Sequence, residues 1–456
     1  MRRVVKVSRI RIVMTIIVVI FVTLLTGCTG KEPNEIAYVV ALGIDSTDDD
    51  NYKITIQYAN TTQISGGASE SGGKAGSEIV DNVTIEAPNI YAGVGLANNI
   101  VSKSFSMSHA KLIVFSKEIA EKGVKDMIET LVRSEEIRPD VFIAVANTTA
   151  NDYLTSVNPE MEVNPAQYYQ LIYQKNQLVG IPDGQLREFF TGLYTDNYDS
   201  ILPIAGVIEG SGGNSQNDDK GQSKDGQNEG SEGSSESLDS FESKSSNEKD
   251  ENEKEKDAEK NTSKYEYDIK NYIGGETTIE KKNKAEAIGA AVFEKDKMVG
   301  ELGEVETEIC KILKGDYTYS YLTYYNNDTP DIPITVKTTQ QKKPKYKIDT
   351  DKKTVDIELY IESDLYSLPA DYNVENKIED FERDVANYTS SACTEFINNF
   401  TKKYNSDILK LNEKVKYKFL TNNQYNWFKK NVGWSEYKFS VCTNFKVRRT
   451  GLIVRE

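Results

Sequence analysis

One thiol near the amino terminus stands where lipid chemistry would act. Cys28 closes the run Leu25-Thr26-Gly27-Cys28, an apolar residue and two small ones followed by a cysteine, which resembles the bacterial lipobox. There the thiol takes a diacylglyceryl group and a peptidase cuts between Gly27 and Cys28. The preceding residues fit this chemistry. Arg2, Arg3, Lys6, Arg9 and Arg11 form a basic start, and an uncharged run rich in Ile and Val follows from Ile12 to Leu25, the layout of an export signal. An uncleaved membrane anchor is the alternative, although roughly 14 to 17 apolar residues fall short of the ~20 that span a bilayer. Either way the rest of the chain is exported and tethered. Lipid attachment is expected at Cys28 and signal-peptidase cleavage at Gly27 and Cys28.

Few other residues are placed for chemistry. His109 is the only histidine, with no second His or Cys beside it to complete a base or ligand set, so a hydrogen-bonded structural role is expected. Cys310, Cys393 and Cys442 are odd in number and show no CxxC spacing, which excludes a complete disulfide framework. They read as small buried hydrophobes. The Gly-rich stretch Gly66 to Gly76 fails as a phosphate loop, because Ala68 stands at the first Gly position and Ala75 replaces the Ser or Thr that holds magnesium. Gly93-Val94-Gly95 is followed by Asn98 rather than the third glycine of a dinucleotide fingerprint. Glu135-Glu136 and Asp48 to Asp50 read as solvated charge, since no loop has the EF-hand pattern. No catalytic, metal or cofactor-binding residue is assigned, and an enzyme is not expected. With 55 Lys and Arg against 71 Asp and Glu, the net charge is −16, a surface that repels phosphate backbones and disfavours a nucleic-acid partner.

The elements that would carry these residues follow from periodicity. An apolar strand from Glu35 to Gly43 and a second with Tyr52, Ile54, Ile56 and Tyr58 on one face predict a hairpin. A strand from Ile79 to Ala87 and a helix after Pro88, with Ile90, Val94, Ala97 and Val101 inward, come next. Strand Lys111 to Phe115, a helix from Lys117 carrying Ile119, Met127 and Leu131, and strand Asp140 to Ala146 continue the alternation, which predicts a mixed sheet with packed helices. Residues 209–264 have Leu238 and Phe241 as their only large apolar side chains and are expected to be disordered. Order is expected to return with a strand at Ala287 to Phe293 and a helix from Val305 to Leu313. Strands at Ile334 to Thr338, Tyr346 to Ile348 and Val355 to Ile361 follow. A long helix from Val374 to Tyr404 would bury a stripe of Ile378, Phe381, Val385, Tyr388, Ala392 and Phe396, continuing to Asn399 and Lys403, whose polarity implies an exposed last turn. The final strand, Tyr437 to Arg448, breaks phase near Cys442. Trp427 and Trp434 read as core residues. The layout is α+β with three domains, each a mixed or antiparallel sheet with packed helices, joined by a disordered insert: signal 1–27, then 28–208, the insert 209–264, 265–333 and 334–456.

The order of short motifs resembles a known family. Ala41-Leu42-Gly43-Ile44-Asp45, His109-Ala110-Lys111, Arg133 with Glu136 and Arg138, and Leu202-Pro203 mark the first half. Gly289-Ala290-Ala291-Val292-Phe293, Met298-Val299-Gly300, Tyr404-Asn405-Ser406-Asp407-Ile408, Trp427, Trp434 and Gly451 mark the second. In that order they resemble the Ger(x)C lipoprotein family, the C subunits of bacterial spore germinant receptors, over nearly all of the mature chain except the insert. The resemblance implies a lipoprotein on the outer face of the inner spore membrane, acting in germinant detection with two polytopic, permease-like subunits, A-type and B-type. It carries over no catalytic residue, only Cys28 for lipid. A substrate-binding lipoprotein of a solute transporter and a structural envelope lipoprotein are the competing classes.

Loop-closure entropy changes by only about 0.6 kcal/mol per doubling of length, so deleting most of residues 212–260 is expected to leave the fold intact. Limited proteolysis is expected to cut first in this stretch. First cleavage inside 374–404 would overturn the layout.

Overall fold

Apolar runs long enough to be buried on both faces define the first sheet. The protein is described here by a computed structural model covering residues 13–18, 35–49, 51–59, 80–159, 162, 164–174, 180–195, 197–208, 271–277, 283–325, 333–367 and 377–450. Four strands, β1 (Ile36–Ser46), β5 (Leu112–Ser116), β6 (Phe142–Ala146) and β7 (Ile201–Val207), pair in parallel at its centre. β5 and β6 are buried at every position, as parallel strands covered on both faces are. The hairpin expected at the start is present: β2 (Tyr52–Ala59) pairs antiparallel with β1, and β3 (Val80–Ala87) with β2. A short β4 (Ser104–Ser106) pairs beside β1. On the other flank, β8 (Ala285–Glu294) and β9 (Lys297–Leu302) complete a nine-stranded sheet, eight of whose strands run in the order β3-β2-β1-β5-β6-β7-β8-β9 with β4 beside β1.

Helices cover both faces. Leu42, Ile54, Ile113, Phe115 and Ile143 pack under α1 (Ile90–Ala97), α2 (Lys117–Lys122), α3 (Lys125–Val132) and α6 (Leu186–Thr195). Val40, Leu112, Val114 and Phe142 meet α4 (Ala150–Ser156) and α5 (Pro165–Tyr173). The second face holds polar groups that find partners: Tyr153 and Tyr173 share a hydroxyl hydrogen bond of 2.9 Å, and Gln57 donates to the Leu154 carbonyl at 2.8 Å. The single helix expected from Lys117 is two, because Gly123 turns the chain at φ +124, a conformation costly for other residues. The next amide, Val124 N, donates to Asp296 O at 3.0 Å and ties the break to the β8–β9 turn.

The second sheet alternates and is closed on one face. Its strands are β10 (Tyr319–Tyr325), β11 (Pro333–Gln340), β12 (Lys345–Asp349), β13 (Thr354–Ser367) and β14 (Lys438–Arg449). Ile334, Val336, Val355, Ile357, Leu359, Phe439, Val441 and Phe445 are buried. Helices α7 (Glu304–Lys314) and α8 (Ile378–Lys403) pack against this unit, followed by α9 (Leu411–Val415) and α10 (Asn422–Asn431).

The fold is of the expected α+β class, and the described strands make two mixed sheets: β8 pairs with β7 and β10 pairs with β11. The pairing satisfies an edge of β7 that would otherwise expose its amides and carbonyls. On α8 the buried set advances by one residue after Tyr388. Cys393, Ile397, Phe400 and Thr401 are buried in place of Ala392, Asn399 and Lys403, so one side of the last turn is buried. β14 keeps its alternation through Cys442, which faces solvent, because Thr443 takes the next inward place. Trp434 is buried, but Trp427 is 64% exposed, since α10 turns Tyr425 and Phe428 inward instead.

The outer edge of β14 is capped by side chains of α8. Phe439 N donates to Asn398 Oδ1 at 3.1 Å, Val441 N to Thr394 Oγ1 at 3.0 Å, Thr443 N to Ser390 Oγ at 2.9 Å and Val447 N to Glu382 Oε1 at 2.8 Å. Two strand residues advance about 6.7 Å and four helix residues about 6 Å, so helix positions four apart stay in step with alternate strand amides. Thr394→Val keeps the shape but leaves Val441 N without its acceptor. It is expected to lower stability by about 1 to 3 kcal/mol, read from urea midpoints, with Asn399→Ala as an exposed control near zero.

Candidate functional site at the joint between the sheets

Beyond α8 the chain turns back against the first sheet. Tyr404 lies over Gly300 of β9, where an added Cβ would stand 2.3 Å from the Tyr404 ring, so only glycine admits this approach. Asn405 Nδ2 donates to Glu294 Oε1 at 3.0 Å, and Ser406 Oγ to the Phe293 carbonyl at 2.8 Å. The Asp199 carboxylate spans the joint. One oxygen accepts from Lys295 N and the other from Asp407 N, each at 2.8 Å. Lys410 Nζ pairs with Glu188 Oε1 at 2.6 Å and sits 4.2 Å from the centre of the Tyr198 ring. The motifs around Phe293, Gly300 and Tyr404 to Ile408, remote in sequence, therefore meet in one place.

Asp407 is the most deeply placed acid of the joint. Its oxygens accept from Leu411 N and Asn412 N, both at 2.8 Å, which caps α9. Burial pushes its carboxyl up to about 7, against the two amides that favour the charged form. Beside it opens a cavity of about 500 Å³ whose lining includes Asp199, Glu294, Asn405, Asn426, Lys430 and Trp434. Among the described residues, no group of three or more His, Cys, Asp or Glu is placed to hold a metal ion. The arrangement holds two parts of the chain together and offers a polar recess beside them.

Gly27, Cys28 and the stretch Gly66 to Gly76 lie outside the described residues. His109 is exposed, with its ring edge-on to Tyr38 at 5.0 Å, and no hydrogen bond to its ring is seen among the described residues. Cys310 and Cys393 are buried and Cys442 is not. Gly93 and Gly95 lie within α1. Glu136 accepts from Met107 N at 2.6 Å, and Arg138 pairs with Asp140. Asp45 accepts from Ala150 N at 2.6 Å and Asn151 N at 3.0 Å, capping α4. Burial raises its pKa, and those two bonds oppose the rise. Asp199, Glu188 and Lys410 were not anticipated, since nothing local marks a residue whose partners lie about 100 to 200 positions away. Ser390, Thr394 and Asn398 did carry a signal, polar groups every four residues along one flank of an amphipathic helix.

Two family sequence models match the chain. One, described as "Spore germination protein N-terminal domain", covers residues 30–207, and the other, "Spore germination B3/ GerAC like, C-terminal", covers 288–451. Curated relatives include Spore germination protein KC of Bacillus subtilis (strain 168), 27% identical over 173 residues, 35% of this chain and 42% of that protein. Spore germination protein B3 of the same organism is 26% identical over 148 residues, 30% and 36% of the two chains. Spore germination protein GerQC of Bacillus cereus is 27% identical over 104 residues, 23% and 29%. The matched stretches span about two-fifths of these relatives or less. The crystal structure of the GerBC protein aligns at a TM-score of 0.47 and 15% identity, over 89% of this chain and 96% of that one. Matched on both sides of its insert, the chain belongs to the Ger(x)C family of spore germinant receptor C subunits.

The raised pKa of Asp407 sets a pH window. Between about 4, where the unfolded acid titrates, and about 7, the folded state holds a proton that the unfolded state has lost. The Asp407 contribution to stability is therefore full below this window, falls as pH rises through it and levels off above. Glu308, pushed up to about 7 by burial, acts in the same direction, so the measurement compares urea midpoints of the parent and Asp407→Asn at pH 5 and pH 8. The variant is expected to lose part of the slope. Identical slopes would contradict the assignment.

Proposed function

We propose that this chain is the lipid-anchored C subunit of a spore germinant receptor, held through Cys28 on the outer face of the inner spore membrane. It acts in nutrient-triggered germination through protein contacts with an A-type and a B-type polytopic subunit rather than by chemistry of its own. The observation that carries this reading is the family match on both sides of the insert, residues 30–207 and 288–451, behind a lipobox-like run ending at Cys28. Two acyl chains suffice for stable membrane residence where one gives marginal binding, and confinement beside the partners raises their effective concentration. The solute-binding alternative is less well supported. Two-lobed binders close about hinges around a cleft, whereas here backbone and carboxylate hydrogen bonds lock the two sheets together at Asp199 and Asp407.

Cys28→Ala is expected to leave the precursor uncut and without labelled lipid. Equal lipid incorporation into that variant would remove the anchor. Deleting the chain is expected to impair germination through its own receptor while other receptors and receptor-independent triggers keep working. Affinity capture from dormant-spore membranes that lacks both polytopic subunits, with tight solute binding by the isolated chain, would favour the transporter reading.

A further inference from the structure

The chain is acidic overall, yet the stretch from Lys410 to Lys430 holds six lysines, one acid, Glu413, and no arginine. Within it Leu420 is 95% exposed, Tyr417 78% and Trp427 64%. The segment does not lack an interior. Phe419 packs on Phe428 at 5.0 Å between ring centres, and Phe428 on Trp434 at 5.8 Å. Phe428 and Trp434 are thus buried and Phe419 is half-buried, while Tyr417, Leu420 and Trp427 stand in solvent in a stretch that also carries the exposed Lys416, Lys418 and Lys430. Trp427 and Lys430 lie three residues apart on α10, on neighbouring positions of one helical face.

This composition fits a membrane–water boundary. Trp and Tyr rest at headgroup level, Leu reaches the acyl chains, and lysine keeps its ammonium in water above an apolar stem. Protein interfaces are depleted in lysine and favour arginine, the reverse of what is found here. The net positive charge of the stretch complements anionic lipid, which attracts basic segments close to the surface. Reach adds a third argument. Only six residues lie between Cys28 and Glu35, the residue just before β1, and the seven steps from one to the other span about 25 Å when fully extended. A lipid at Cys28 would hold the fold within that distance of the bilayer.

We propose that residues 416–430 form a reversible contact with an anionic phospholipid bilayer, with Leu420 and Trp427 dipping into the headgroup layer and Lys416 and Lys430 over the lipid phosphates. The proposal rests on the anchored reading for its proximity argument, and it adds a face and a lipid class. Its regulation follows from screening: salt weakens the charged part of the contact and leaves the acyl tether in place.

The chain has two tryptophans, and Trp434 is only 7% exposed, which gives a direct readout. The full chain is mixed with vesicles containing phosphatidylglycerol and bromine-labelled acyl chains, and tryptophan emission and sedimentation are both followed. Quenching is expected, and Trp427→Phe is expected to remove it while Trp434 emission reports an intact fold. Lys416→Gln with Lys430→Gln is expected to lower the docked-to-undocked ratio on the order of fivefold per charge, as is replacement of phosphatidylglycerol by phosphatidylcholine. Chain that sediments with the vesicles but keeps Trp427 unquenched overturns this contact and leaves the anchor standing. Quenched chain that sediments only with anionic vesicles supports the contact and overturns the anchor. Trp427 shielded in spore membranes only when the polytopic subunits are present assigns the face to a protein and overturns the lipid contact.

Discussion

The pairing of β7 with β8 is the constraint on which the rest of the molecule depends. It joins Ile201 to Val292, Leu202 to Ala291 and Val207 to Ala285 across the 77 residues from 208 to 284. Closing a loop of that length costs about 4 kcal/mol beyond a constant by the logarithmic law. The pairing sets a run of main-chain hydrogen bonds and the buried Ala290, Ala291, Val292 and Phe293 against this cost. The cost grows slowly with length while the register does not depend on it, so the family fold tolerates a long polar insert at this point.

From β8 the second half takes its position. The β8–β9 turn presents the Phe293 carbonyl, the Glu294 carboxylate and the Lys295 amide, and residues 405 to 407 and Asp199 bind these groups. Among the described residues, three non-glycine positions have positive φ: Lys295, Lys353 and Lys410. Two of them flank the joint. Such a backbone costs roughly 1 to 2 kcal/mol per residue, and here the tertiary hydrogen bonds of Asp199 and the Lys410–Glu188 pair offset it.

The side chains of α8 along β14 narrow the contacts that this edge of the second sheet can make. An open edge strand is a template for strand addition. Asn398, Thr394, Ser390 and Glu382 occupy its outward amides, so contacts at this side run through side chains. The basic, aromatic stretch from Lys410 to Lys430 emerges directly from the joint through the Asp407 cap. Position is thus handed from the first sheet through the joint to the second half of the chain.

Periodicity in the sequence was enough to place most strands and helices, because apolar alternation and turn residues are local signals. It gave the hairpin of β1 and β2, the apolar cores of β5 and β6, the helix from Glu304 and the long helix near its observed bounds. The signal-like amino terminus and the order of short motifs were legible for the same reason, and the family models agree with the latter. Sheet membership was not legible. β8 reads equally well as the start of a new sheet or the end of an old one until its partner is known. Trp427 and Trp434 are the same residue type in one short stretch, and only packing against Asn412, Phe428 and Tyr437 decides that Trp434 is inside. The joint itself was invisible as a site, since Asp199 and Asp407 are common acids 208 positions apart. Their meaning comes from burial, and burial is a property of the folded chain.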